Sequence, residues 1–142
     1  MMVTQAMMID KTPLSFRHEY KHLISSSEDR LLSARLGRLF PRDNHAGPDG
    51  TYRVRSLYFD TPGNRALRQK LSGADSREKF RLRYYGDPPA FLRLEKKVRK
   101  NGLCAKRSAR LTPEQCLLLL RGDTDFLLES QDALLIEFYS KL

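Results

Sequence analysis

Between Arg77 and Arg110 the chain alternates with period two over three segments. Arg77, Lys79, Arg81 and Arg83 fall on one side of the first, with Phe80, Leu82 and Tyr84 on the other, the pattern of a half-buried strand. After Gly86–Ala90, a turn sequence with two prolines, Arg93, Glu95, Lys97 and Arg99 oppose Leu92, Leu94 and Val98. Asn101–Gly102 predicts a two-residue type I′ hairpin, which fixes the register of the third strand. Lys97 then faces Lys106, Glu95 faces Ser108 and Arg93 faces Arg110. On the reverse side Val98 meets Ala105, Leu94 meets Ala109 and Leu92 meets Leu111. Pairing Tyr85 with Phe91 would set Lys79 beside Lys97, Arg83 beside Arg93 and Arg81 beside Glu95.

The rest of the chain supplies helices and further strands. Alternation over residues 15–22, with Arg17, Glu19 and Lys21 on one side, predicts a strand. Ser25 with Glu28, or Ser26 with Asp29, predicts a capping box for a helix carrying Leu31, Leu32, Leu36 and Leu39 and stopped near Pro41. Residues 42–50 read as a loop, 51–60 as a strand rich in β-branched and aromatic residues, and 64–71 as a short helix. Thr112, Pro113, Gln115 and Gly122 carry start and stop signals of another helix, and Asp132 caps a last one reaching Leu142. Antiparallel strands with interspersed helices place the fold in the α+β class. Residues 1–14 are expected to form a flexible lead-in and residues 15–142 one domain.

Charge changes the picture. The net charge is +9, and twelve Lys or Arg against three acids lie between Arg77 and Arg110, so the remainder is neutral. Such a local excess points to a site. The register stacks like charges across strands, which costs a fraction of a kcal/mol per solvated pair. Water and salt can screen such a face. A polyanion with closely spaced oxygens suits it better, because guanidinium forks and ammonium groups match phosphate. Nucleic acid is the rival, but binders of single strands add aromatic stacking platforms. Here Tyr85 and Phe91 lie only at the rim, so no specific nucleic acid is expected.

Other classes drop out. The longest apolar run, Leu117–Leu120, is far too short to span a membrane, and the N-terminus lacks the order of a signal peptide. Cys104 and Cys116 lack metal-ligand spacing and read as reduced thiols of a cytoplasmic protein. Neither a phosphate-cradling glycine loop nor a Ser/His/Asp arrangement is evident, and no catalytic group is singled out.

Taken in order, "RHEYKHLI", "YRVRSLYFDTP", "KFRLRYYG" and "LRLEKKVRKNG…KRSARLT" resemble the VTC-type polyphosphate polymerase domain. That domain belongs to the triphosphate tunnel, or CYTH-like, superfamily. The resemblance runs from about Phe16 to the C-terminus and covers what would be the N-terminal half of the tunnel, since the family domain continues further. It implies an antiparallel β-tunnel with flanking helices, in which the terminal phosphoryl group of ATP passes to a polyphosphate chain with a divalent metal, Mn or Mg. It further implies that Lys21, Arg81, Arg83, Lys97 and Lys106 grip phosphate, and by register Arg93 and Arg110 join that wall. Glu19 and Glu95 would orient these cations or hold the metal; for Glu95 the register also offers an ion pair with Arg81, and a solvated strand residue is the alternative for Lys21. Polyphosphate or a nucleoside triphosphate is the expected partner, and open sheet edges favour self-association. The alternatives are a non-catalytic module for polyphosphate or inositol phosphates, and a triphosphate hydrolase.

Overall fold

The hairpin arithmetic holds throughout β3 and β4. In the computed structural model, which describes residues 13–86 and 88–142, β1 (Val54–Phe59), β2 (Arg77–Tyr85), β3 (Ala90–Lys100) and β4 (Leu103–Arg110) form one antiparallel sheet in that order. Arg93 pairs with Arg110, Glu95 with Ser108, Lys97 with Lys106 and Val98 with Ala105. Asn101 and Gly102 both take positive φ, +50° and +73°, as a type I′ turn requires. The Asp75 carboxylate accepts from the Gly102 N–H at 3.0 Å and ties the turn to the chain entering β2. Helices α1 (Ser26–Leu36), α2 (Arg65–Leu71), α3 (Pro113–Arg121) and α4 (Ala133–Tyr139), with a 3-10 turn at Asp125–Leu127, complete an α+β fold whose sheet is open among the described residues.

Two expectations about strands need correction. Tyr85 pairs with Ala90, not Phe91, because the register slips by one after Arg83–Arg93. The extra residue is absorbed at Phe91, whose φ of +50° marks a bulge beside the proline turn. Residues 15–22 do not form a strand. Arg17 makes a single bridge to Cys104 on the outer edge of β4, with N–H···O distances of 2.9 and 2.8 Å. Among the described residues only this bridge joins the segment to the sheet, and alternation alone does not make a strand without a ladder. Residues 1–12 of the expected lead-in lie outside the described residues.

One sheet face carries the core. Phe80, Leu82, Leu94 and Ala109 pack with Leu111, Cys116 and Leu119 around α3, and with Leu127, Leu134, Leu135 and Phe138 towards the C-terminus. The helices sit where their signals are. Thr112 and Gln115 form a reciprocal capping box with Pro113 in the first turn, and Gly122 ends α3 in the left-handed region at φ +87°. Asp132 caps α4 by accepting from the Leu134 N–H at 2.8 Å; α4 ends at Tyr139, short of Leu142. Asp60 of "YFDTP" holds the start of α2, accepting from the N–H groups of Ala66 and Leu67 at 2.9 and 3.0 Å. Both thiols are free, and burial pushes the Cys116 thiol up.

Lys96 lies on the apolar side of β3 and is buried there. Its ammonium meets Glu78 at 2.9 Å and also Glu137 of α4, while Lys141 reaches Glu78 at 3.1 Å. This ion cluster ties α4 to β2 and β3. Lys96→Met should leave Glu78 with Lys141 and take the ammonium from Glu137, at a cost of about 1–3 kcal/mol, read from the midpoint of urea unfolding. An unchanged midpoint would show that the cluster does not hold α4 in place.

The chain divides into two units, residues 13–18 with 54–142, and residues 19–53. The second contains α1, with the expected Ser25–Glu28 capping box. The helix buries none of its residues: Leu31, Leu32 and Leu36 are exposed, as is Leu39 beyond its end.

Candidate functional site

The other sheet face is the cationic one. Residues directly opposite in an antiparallel sheet point to the same side. The pairings therefore build four rows: Arg83–Arg93–Arg110, Arg81–Glu95–Ser108, Lys79–Lys97–Lys106 and Arg77–Arg99–Cys104. Arg17, bridged to Cys104, extends the last row by another cation. Arg81, Arg83, Arg93, Glu95, Lys97, Lys106 and Arg110, all singled out by sequence, thus share one surface. Glu19 and Lys21 belong to the other unit, where they pair at 3.6 Å with the Lys21 side chain 82% exposed.

Glu95 is the centre of this face. Its side chain is only 2% exposed, and Oε2 accepts from Arg81 Nε at 2.7 Å and Nη2 at 2.6 Å. Lys106 Nζ stands 3.5 Å from Oε1. Burial opposes ionisation, but the Arg81 hydrogen bonds and the charges of Arg81, Lys106 and Arg83 hold the carboxyl below the usual carboxylate range. The cross-strand ion pair expected from the register is therefore present, and it fixes Arg81. Two of the five guanidinium hydrogens face Glu95 and a third goes to Tyr58, so two are left over.

Around this pair the cations crowd. Burial first, then the charges of Lys97, Arg81 and Lys70, push the Lys79 ammonium below its ordinary value against the opposing influence of Tyr58. Arg83 and Arg110 stack over Tyr85 and Phe91, both at about 5.9 Å or less from the ring centre. These rim aromatics hold guanidinium groups in place through their ring faces.

Three residues of the face escaped the sequence reading. Arg17 reaches it through an isolated bridge. Ser56 and Tyr58 join because β1 pairs with β2 so that Ser56 faces Arg83 and Tyr58 faces Arg81. Their signal was present in "RSLYFD", where Ser56 and Tyr58 share a parity, but α2 separates β1 from β2 and no short turn specifies that register. Tyr58 also places an aromatic ring on the face, with Lys79 Nζ 4.9 Å from its centre.

This geometry, a sheet face with cations in register on adjacent strands, coincides with a family assignment. The VTC domain family model matches residues 16–142. The chain belongs to the VTC domain family. No curated protein matches it. Membership carries a polyphosphate-related role in general terms. No described helix is long and apolar enough to cross a membrane.

For a resident metal the fit is poor. Among the described residues no three His, Cys, Asp or Glu side chains gather as a metal site. Glu95 has one oxygen committed to Arg81 and the other beside Lys106, so a cation there would compete with both.

Proposed function

We propose that the cationic face binds a chain of linked phosphates, ATP or polyphosphate, as one wall of a β-tunnel in which the terminal phosphoryl group of ATP is passed to polyphosphate. The observation that supports this most is the row structure: arginines and lysines on three adjacent strands repeat at strand spacing on one side of the sheet. Phosphoryl transfer needs alignment and neutralisation of spreading charge more than covalent help. In this scheme Arg83, Lys97 and Lys106 bind phosphate oxygens, Arg81 contributes its two remaining hydrogens, and Arg93 and Arg110 extend the track. Glu95 keeps Arg81 and Lys106 in place. The domain is residues 15–142, and its setting is cytoplasmic.

A second reading, a non-catalytic module for polyphosphate or inositol phosphates, is favoured by the commitment of Glu95, the one acid in the described rows of this wall, to Arg81. Calorimetric titration with ATP, tripolyphosphate and long polyphosphate, alongside a product assay with Mn or Mg, tests both. Binding with phosphoryl transfer supports the first reading, and binding without turnover supports the second. If an oligonucleotide displaces polyphosphate at equal phosphate concentration, both fail.

A further inference from the structure

The two hydroxyls of β1 stand in a distinctive position. Arg83 Nε donates to Ser56 Oγ at 3.1 Å, and Arg81 Nη1 donates to Tyr58 Oη at 3.1 Å. Each oxygen also carries one hydrogen of its own. An oxygen that accepts from a guanidinium must turn that hydrogen away from it. The side chains nearest both hydroxyls are cations, which accept nothing, and the one carboxylate of the described face, Glu95, lies two strands away and is committed to Arg81. Lys79 covers the Tyr58 ring, and Arg81 and Arg83 lie on the neighbouring strand. Tyr58 is exposed and Ser56 half-buried, so water can take both hydrogens, and an oxygen-rich anion held by the two arginines can replace it there.

We propose that the Tyr58 and Ser56 hydroxyls bind the phosphate chain directly, each donating to a phosphate oxygen next to the arginine it supports. The inference rests on the phosphate reading of the face and adds β1 to the binding surface. The chemistry is favourable: the Arg81 hydrogen bond, aided by the charges of Lys79, Arg81 and Arg83 and opposed by burial, holds the Tyr58 phenol below the ordinary tyrosine value. A more acidic phenol is a stronger donor to phosphate.

The test uses tripolyphosphate, calorimetry and the variants Tyr58→Phe and Ser56→Ala, which remove a hydroxyl and little else. A hydrogen bond to a charged group is worth about 1.5 kcal/mol or more, so each variant should weaken binding by about tenfold. Ser56→Ala is then repeated in the Arg83→Ala background. A direct contact keeps its effect there; a hydroxyl that merely steadies Arg83 loses it, and that loss would overturn the proposal. Wild-type affinity in both single variants would overturn it while leaving the phosphate reading standing. Failure of the wild-type chain to bind tripolyphosphate at all would remove both together.

Discussion

Glu95→Gln is expected to destabilise the protein by about 3 kcal/mol, because removing one partner of a buried ion pair leaves the other charge uncompensated. The residue abandoned is Arg81, whose side chain is only 14% exposed, with Lys106 nearby. The loss should be partly restored by tripolyphosphate, whose charge substitutes for the missing carboxylate, so the anion should raise the variant's melting temperature more than that of the wild type. Acid unfolding carries the same signature. The carboxyl of Glu95 is held below the usual range in the folded state. Its contribution is therefore fully present above the unfolded value of about 4.3 and is lost as pH falls through the depressed folded value. The variant should lack that part of the acid limb. Equal stability of the two proteins at neutral pH, with identical acid limbs, would show that Glu95 does not organise the face.

The second large effect concerns binding. Arg83→Ala combined with Lys97→Ala should weaken tripolyphosphate binding by on the order of a hundredfold or more, since each lost charge-assisted contact removes about 1.5–3 kcal/mol. The two residues lie on adjacent strands and in different rows, so neither replaces the other along a bound chain. Arg81 is the wrong residue for this purpose. Removing it strands a carboxylate that is 2% exposed, so weaker binding and weaker folding would arrive together. Circular dichroism melting should show the Arg83/Lys97 variant folded like the wild type while calorimetry shows the loss. Undiminished affinity in a folded variant would remove these side chains from the binding surface.

The parts of this structure that were readable from sequence are those governed by local chemistry. Asn101–Gly102 dictates a turn, the turn dictates register, and register puts Lys97 against Lys106 before any tertiary contact is considered. Thr112 and Gln115 mark the start of α3 for the same reason: the signal and its hydrogen bonds are three residues apart. What was hidden depends on distant partners. Lys96 looks like an intruder on an apolar wall until Glu137, far along the chain on α4, is seen to receive its charge. Ser56 and Tyr58 become part of the cationic face only through pairing across α2. The segment 15–22 had the alternation of a strand but only Arg17 found a place at the edge of β4. At Phe91 the adjacent prolines, which lack N–H donors, end the ladder and a bulge takes up the extra residue.

The most direct measurement is a titration of isotopically labelled protein with tripolyphosphate, followed through the side-chain resonances of arginine and lysine. Shifts concentrated on Arg83, Lys97 and Lys106, with the buried Lys96 on the opposite side of the sheet unmoved, are the expected result. Shifts spread evenly over exposed cations on both sides, or centred away from β2, β3 and β4, would contradict a shared phosphate-binding face.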